Sequence, residues 1–302
     1  MINEIPLVQV LLSTWNGDRW LGDLLASLER QTFSNWQLLV RDDGSQDQTL
    51  KILLEWQKKH PNKVTDIISA SAIGSTASFD QLVRKSSAPY LMFCDQDDVW
   101  FPEKIELEVE ALYQLEQKYG AKASLLVHSD LAVVDENKQI LSPSFWVYRG
   151  FDLKQRKQAY LLNNPVTGCA TIFNRHAAYL AFPLPTEAMH HDRWVALVCA
   201  WFGHIGALPQ PTILYRQHAH NVIGAKRSLE VGEIHRRIDL WSRQAAAFLR
   251  CFSARLSKED YQLVKALADL QYMKGWERRR HMVQHRLFKQ GVLDNLALLL
   301  FS

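Results

Sequence analysis

The sequence has little of what marks disulfide scaffolds, zinc sites or membrane spans. Its 302 residues include four cysteines, Cys94, Cys169, Cys199 and Cys251, and none of them forms a C-x-x-C pair. This excludes a disulfide framework and a cysteine-histidine zinc site, and it favours a reducing compartment. No apolar run approaches the roughly 18 residues that cross a bilayer, and no basic leader precedes the first strand. We therefore expect a cytoplasmic protein, at most peripheral at the inner membrane.

A strong charge of either sign is also lacking. The 35 Lys and Arg residues against 32 Asp and Glu residues give a net charge of +3. Such a balance provides no basic field for nucleic acid, so we expect no nucleic-acid partner. Apolar residues, in contrast, make up 47% of the chain. This is enough for a packed core in one large domain with a smaller appendage.

Apolar runs alternate with amphipathic segments through the first hundred residues. Strands are predicted at 8–12, 36–40, 64–68 and 90–94, and helices around 20–28, 50–56 and 79–83. This alternation predicts an α/β fold with a doubly wound, mostly parallel sheet, of the Rossmann-like nucleotide-binding type. Ligands bind such sheets at the carboxyl ends of the strands.

The pattern changes after about residue 124. Short strands are predicted at 124–128 and 131–134, a helix at 177–180, a second helix from Asp192, a strand and turn at 205–215 and a polar loop at 216–226. From residue 228 onward the sequence is amphipathic and helical. We expect one domain over 1–227 and a helical C-terminal region over 228–302.

Polar clusters follow three of the predicted strands, at 13–16, 42–45 and 95–98. In the last cluster, Asp95, Asp97 and Asp98 would repel one another unless a cation neutralises them. Residues two apart in an extended segment point the same way, and all-oxygen ligation suits Mg²⁺ or Mn²⁺. An isolated D-x-D is more often a solvated acidic turn, but the buried strand before it favours a metal site here.

The other candidates each have two interpretations. Asp42 and Asp43 fit an ordinary Asp-Gly turn or an acceptor for the N3–H of a pyrimidine, and Trp15 is a loop aromatic or a stacking surface for that base. Asp192 caps a helix or acts as a general base. Arg216 and His218 lie on the surface or contact a diphosphate or a metal.

Together these residues resemble the inverting glycosyltransferases of family 2, which have the GT-A fold. The resemblance covers about residues 6–225 and rests on Val8–Asn16, Gln31–Phe33, Val40–Ser45 and Phe93–Trp100. Four segments are more narrowly similar to bacterial rhamnosyltransferase-type members of the family. They are residues 94–100, Asn164–Cys169, His191–Trp194 and Tyr215–His218.

The resemblance implies a metal-dependent transfer of a sugar, with rhamnose as one candidate, from a dTDP- or UDP-sugar to a saccharide or lipid-linked saccharide in surface polysaccharide synthesis. It implies Asp192 as the catalytic base and Asp97, Asp95 and His218 as metal ligands for Mn²⁺ or Mg²⁺. The implied nucleotide-sugar site comprises Ser13, Thr14, Trp15, Asn16, Asp42, Asp43, Asp95 and Arg216. Two positions depart from the family pattern, because members often have Tyr in place of Trp15 and an aromatic residue in place of Arg193.

Two rival functions remain. A sugar-nucleotidyltransferase shares the sheet and the acidic site, but no Gly-rich phosphate loop with Arg or Lys follows the first strand here. A catalytically silent binding module for a nucleotide sugar or a saccharide is disfavoured by the presence of both Asp97 and Asp192.

The C-terminal region is locally basic. Residues 251–290 contain nine Lys or Arg residues and four acidic residues, interleaved with Trp276, Met282, Leu287 and Phe288. This composition fits contact with an anionic membrane surface, or a helical appendage that packs on the catalytic domain or on a second subunit in a homodimer.

Overall fold

The computed structural model describes residues 7–153, 156–218, 231–288 and Asn295. The chain divides into two compact units. The first comprises Met1–Gly150, Val166–Leu184 and His191–Ala225, and the second comprises Phe151–Pro165, Pro185–His190 and Lys226–Ser302. The boundary between these two units after residue 225 lies close to the domain boundary expected after residue 227. Two short segments of the expected first domain, however, belong to the second unit.

In the first unit, strands and helices alternate as the apolar pattern predicts. The first part contains β1 (Val8–Thr14), α1 (Asp18–Glu29), β2 (Trp36–Asp42), α2 (Thr49–Lys59), β3 (Val64–Ser69), α3 (Ser75–Lys85), β4 (Tyr90–Asp95), β5 (Val99–Trp100) and α4 (Lys104–Tyr119). The later part contains β6 (Leu125–Val134), β7 (Ile140–Ser142), α5 (Phe145–Arg149), β8 (Thr171–Asn174), α6 (Arg175–Ala181), α7 (His191–Phe202) and β9 (His204–Arg216). A short 3₁₀ turn, Gly168–Ala170, precedes β8.

Within the described residues, nine strands form one sheet in the order β3-β2-β1-β4-β8-β6-β9-β5, with β7 paired to β6. The first four strands are parallel, as expected for a doubly wound sheet. Beyond β4 the sheet is mixed, because β8 runs antiparallel to both β4 and β6. The core includes the apolar interior of β1 and β4, and α1 buries Leu21, Leu24, Leu25 and Leu28 at helical spacing.

The prediction of two strands at 124–128 and 131–134 was wrong, since both belong to β6. Ser129 and Asp130 separate them in sequence, but both side chains are buried and hydrogen-bonded. The Ser129 hydroxyl donates to Glu108 at 2.8 Å, and Asp130 accepts hydrogen bonds from Ser144 and from the Trp146 amide. A register shift at these residues lets the strand continue to pair with β9.

The second unit is helical. It contains a 3₁₀ turn (Lys157–Leu161) and the helices α8 (Val231–Phe252), α9 (Lys258–Asp269) and α10 (Gly275–Gln284). Phe248 and Leu267 are buried in it, and Lys157 pairs with Asp260 at 2.6 Å. Residues 219–226 of the predicted loop and the apolar tail beyond 288, Asn295 excepted, lie outside the described residues. In the described part of the chain, no helix is long and apolar enough to cross a membrane.

Candidate active site at the carboxyl ends of the strands

Three loops meet where β1, β2 and β4 end. Ser13 is in register with Asp95 on one side of β1, and Thr14 is in register with Asp42 on the other. Because all three strands are parallel, their carboxyl ends lie at one edge of the sheet. The polar clusters predicted at 13–16, 42–45 and 95–98 therefore lie together.

The loop after β1 is tied to both neighbouring loops. The Trp15 amide donates to the Gln96 side chain at 2.9 Å, and the same side chain donates back to the Trp15 carbonyl. Asn16, at φ +46°, donates its amide to Ser45 and accepts from the Gln46 amide. These bonds leave the Trp15 side chain 58% exposed, as a ring face available to a ligand.

The side chains of Thr14 and Asp42 form hydrogen bonds within this edge of the sheet. Both are buried, and the Asp42 carboxylate accepts from the Thr14 hydroxyl at 2.9 Å and from the Ser45 hydroxyl and amide. Their side chains hold the ends of β1 and β2 together. The neighbouring Ser13 is half-buried in the strand.

Asp43 lies at the centre of a second cluster. Its carboxylate pairs with buried Arg41 and accepts the backbone amides of Ile73 and Gly74, both at 2.8 Å. Burial alone would raise the pKa of Asp43, but these hydrogen bonds and the Arg41 charge together hold the pKa below its ordinary value. Asp43 is therefore an oriented carboxylate that fixes the start of α3.

The acidic turn after β4 is strongly electronegative. Burial, together with the charges of Asp97 and Asp192, raises the pKa of Asp95 to about 7. Asp97 Oδ2 lies 2.9 Å from His218 Nε2, within hydrogen-bond distance, and the His218 ring stacks on Trp20. This arrangement brings the predicted ligands Asp95, Asp97 and His218 to one end of the sheet.

Asp98 is the last residue of this turn, and Cys169 comes to it from the 3₁₀ turn before β8. Asp98 is completely buried and accepts the Arg216 amide at 3.2 Å. Ligand atoms of Asp95, Asp98 and Cys169 lie within 4.8 Å of one another. Burial and the nearby Asp98 and Asp95 raise the pKa of the Cys169 thiol well above its ordinary value, so it remains protonated and donates to these carboxylates.

In the described residues, the predicted ligands Asp95, Asp97 and His218 do not form such a close group. Hard divalent ions prefer oxygen ligands, and a protonated thiol is a poor ligand for them. Asp95, Asp97 and His218 offer two carboxylates and an imidazole, and the pKa of Asp95 is raised by burial and by nearby negative charge that a cation would offset. The donor set thus suits Mn²⁺ or Mg²⁺.

Asp192 reaches the same place from α7. Its Oδ2 accepts the Gly168 amide at 3.0 Å and its Oδ1 accepts the Arg193 amide at 2.6 Å. Because α7 begins at His191, one residue before the predicted start at Asp192, Asp192 lies in the first turn and is not the residue that caps the helix. Its charge raises the pKa of Asp95, so the two carboxylates share one electrostatic environment.

The structure gives Arg216 a different role from the expected diphosphate contact. Its side chain is 2% exposed, and its guanidinium donates to the Asp97 and Glu136 carbonyls and to Asp23. The same guanidinium lies 4.4 Å from the centre of the Trp20 ring. Because the Arg216 guanidinium is buried and bonded in this way, it stabilises the acidic turn and is not available to contact a ligand.

Comparison with models of known protein families shows which family the chain belongs to. The model described as glycosyl transferase family 2 matches residues 9–179, more than half of the chain. The chain belongs to glycosyl transferase family 2. The family expectation from the sequence is confirmed, and the matched range includes β1, the Asp42–Ser45 turn and the acidic turn.

Several family 2 relatives are similar to the chain. One is UDP-Glc:alpha-D-GlcNAc-diphosphoundecaprenol beta-1,3-glucosyltransferase WfgD of Escherichia coli, 25% identical over 55% of this chain and 59% of its own length. Another is dTDP-rhamnosyl transferase RfbG of Shigella flexneri, 24% identical over 72% of this chain and 75% of its own length. The first alignment thus spans less than two thirds of the relative.

Solved structures confirm the α/β fold of GT-A type expected for a family 2 member. The crystal structure of S. aureus TarS 1-349 in complex with UDP-GlcNAc has a TM-score of 0.57, with 15% identity, over 92% of this chain and 79% of that one. The mannosyltransferase PcManGT from Pyrobaculum calidifontis, in complex with GDP-Man and Mn²⁺, also has a TM-score of 0.57, with 16% identity, over 94% of this chain and 74% of that one.

Sequence reasoning missed several supporting residues of this family 2 site. Arg41 was placed just after the predicted strand 36–40 and given no role, although it lies within β2 and is buried, where a charged residue signals that a partner lies nearby. Trp20 was assigned only to the apolar face of α1, yet it contacts both His218 and Arg216. Gly168 and Cys169 were named only within the segment Asn164–Cys169, because their partners Asp192, Asp95 and Asp98 are distant in the sequence.

Proposed function

We propose that this family 2 chain is an inverting glycosyltransferase that moves a sugar from a nucleoside-diphosphate sugar to a saccharide hydroxyl. The observation that supports this most is the proximity of Asp95, Asp97 and Asp192. Besides burial, the charges of Asp97 and Asp192 raise the pKa of Asp95. One reaction centre then has acidic ligands for a cation and a separate carboxylate for proton transfer.

Asp192 is the proposed general base. The acceptor oxygen attacks the anomeric carbon and gives its proton to the Asp192 carboxylate. At the same time the bond from that carbon to the diphosphate oxygen breaks, and its electron pair leaves with the nucleoside diphosphate. The Gly168 and Arg193 amides orient the carboxylate, which retains lone pairs to accept the proton.

Asp97, Asp95 and His218 would hold Mn²⁺ or Mg²⁺. When bound, the ion offsets the negative charge that develops on the departing diphosphate. Arg216, Asp98 and Cys169 hold the acidic turn in place.

Trp15 and Asp43 are the proposed contacts for the nucleotide base. The exposed Trp15 ring would stack on it. A carboxylate has about four acceptor positions. Since Arg41, Ile73 and Gly74 occupy three of those of Asp43, one remains for the N3–H of uracil or thymine. Ser13 and Asn16 line the same edge and complete the proposed donor site.

The names of the relatives support a proposal for the donor and the acceptor. One is named for dTDP-rhamnose and another for UDP-glucose, so we propose a dTDP- or UDP-sugar, with dTDP-rhamnose as the first candidate. The proposed acceptor is a saccharide or lipid-linked saccharide of bacterial surface polysaccharide synthesis, used by a peripheral enzyme at the inner membrane.

Thermal unfolding with a panel of UDP-, dTDP- and GDP-sugars, each with Mn²⁺, Mg²⁺ or EDTA, tests this proposal. A donor at about 100 times its Kd stabilises the folded protein by about 2.7 kcal/mol. We expect one pyrimidine donor to raise Tm only with metal, and Asp97→Asn to abolish the shift. Asp66→Asn, an exposed acidic residue on β3, is the matched control and should keep it. No shift with any donor and metal would contradict the proposal, and binding without metal-dependent hydrolysis or transfer would favour a silent module.

A further inference from the structure

Helix α10 carries an exposed face of mixed aromatic and basic character. Trp276, Arg280 and Val283 are spaced at i, i+4 and i+7, so they lie on one side of the helix. All three are exposed, and Trp276 is 77% exposed. The surface formed by these residues with Tyr272, Lys274, Arg286 and Phe288 is called the α10 surface below.

The opposite side of α10 is fixed to the second unit, which determines the side that faces solvent. Met282 is buried, and the Arg278 guanidinium donates to the Met273 carbonyl at 2.8 Å and to Asp239 at 3.2 Å. His281 contacts the Ala266 carbonyl at 2.9 Å. The outward orientation of the α10 surface is thus set by contacts within its own unit.

Large exposed aromatic side chains are uncommon in such close succession. Tyr272 is 80% exposed, and with Trp276, Val283 and Phe288 it gives four exposed apolar side chains within 17 residues. Tyr and Trp have an apolar ring and a polar atom, and they are enriched at the boundary between water and lipid headgroups. The apolar part of the α10 surface therefore suits an interface.

The charge of the α10 surface selects the kind of interface. Residues 272–288 contain five Lys or Arg residues and one acidic residue, Glu277. Arg278 is paired with Asp239, whereas Lys274, Arg280 and Arg286 are exposed. Cations beside aromatic rings complement the negative headgroups of an anionic leaflet. A symmetric dimer across this surface would instead bring like charges together, since both copies present the same residues.

We propose that the α10 surface binds an anionic lipid surface, with Tyr272 and Trp276 inserted at headgroup level and Lys274, Arg280 and Arg286 in contact with the lipid phosphates. This goes beyond the proposed transfer reaction and uses no residue of the candidate active site.

Co-sedimentation of the full chain with vesicles tests the proposal. The vesicles contain phosphatidylcholine alone or with about one third phosphatidylglycerol, at about 0.1 M salt, where charges are screened beyond ~10 Å. We expect binding to the anionic vesicles at least tenfold tighter than to the neutral ones. Arg280→Glu with Arg286→Glu should remove that preference, and Tyr272→Ser with Trp276→Ser should weaken binding at least tenfold.

Matched controls change residues of the same type elsewhere. Lys51→Glu with Lys58→Glu, both exposed on α2, repeats the charge change, and Tyr179→Ser on α6 repeats the aromatic change. Both controls should bind like the unaltered chain. Equal binding to neutral and anionic vesicles, or equal loss in controls and α10 variants, would overturn the proposal. So would a dimer in light scattering that the Trp276→Ser change dissociates. Transfer to a soluble acceptor should stay unchanged in all variants, which separates this test from that of the proposed reaction.

Discussion

At the scale of single residues, the candidate site depends on charged groups that are buried and paired. Arg41 is the clearest case, because its guanidinium reaches Asp43, Gln81, Ser78 and the Ser71 carbonyl. These four contacts connect the end of β2 to α3 and to the segment before it. Removing one partner of a buried ion pair leaves the other charge uncompensated, which costs more than the pair itself contributes.

We predict that Arg41→Met lowers the free energy of unfolding by about 3–5 kcal/mol, because Asp43 then stays buried without its cation. Arg84→Met on α3 is the matched control, since Arg84 is mostly exposed and its change should stay within about 0.5 kcal/mol. Urea unfolding at pH 7.5 measures both. Equal effects of the two substitutions would show that the Arg41 contacts contribute little.

A second buried residue predicts how stability depends on pH. Burial in β6 lowers the pKa of His128 to about 3, against 6.5 in the unfolded chain. Below pH 6.5 the unfolded chain therefore binds a proton that the folded chain does not. Stability falls as the pH drops from 6.5 towards 3, by up to about 1.4 kcal/mol per pH unit.

His128→Leu should remove this contribution. Between pH 6.5 and pH 5 the unaltered chain should lose about 2 kcal/mol more stability than the variant does. Each protein is compared with itself at pH 7.5, where His128 is neutral in both states, so the packing change against Trp146 cancels. Parallel stability curves for the two proteins would mean that His128 is protonated in the folded state.

At the scale of elements, the position of Asp192 depends on the close approach of the 3₁₀ turn before β8 to the first turn of α7. Gly168 donates its amide to Asp192, and an added Cβ would lie 3.0 Å from His191 Nε2 and 3.4 Å from Asp192 Cβ. His191 is held in turn by Phe79, at a ring distance of 4.0 Å. Little room remains for any side chain at residue 168.

Gly168→Ala should therefore lower kcat by about 10²-fold, by displacing Asp192 while donor binding stays unchanged. Gly22→Ala in α1 is the matched control, because no atom lies within 4 Å of its added Cβ. That substitution should leave kcat unchanged and stabilise the protein by about 0.5–1 kcal/mol. Steady-state kinetics and thermal unfolding of both variants provide the comparison. Unchanged kcat in Gly168→Ala would show that the turn does not position Asp192.

At the scale of the whole molecule, the sequence predicts the alternating strands and helices well because their apolar periodicity is local. The helix α1 and the parallel strands β1, β2 and β4 follow directly from it. The continuous strand β6 was mispredicted, because Ser129 and Asp130 look like a break until their partners Glu108, Ser144 and Trp146 are known. Arg216 was misjudged for the same reason, since its partners Asp23 and Glu136 are distant in sequence.

We propose above all that Asp192 accepts the proton of the attacking hydroxyl at the carboxyl ends of the strands. The most direct test of this proposal is the turnover of Asp192→Asn on the donor and acceptor that the unaltered chain uses, with the metal-dependent thermal shift measured alongside. We predict that kcat falls by roughly 10²–10⁴-fold while the donor still raises Tm by the same amount. Near-normal turnover in this variant would contradict the account.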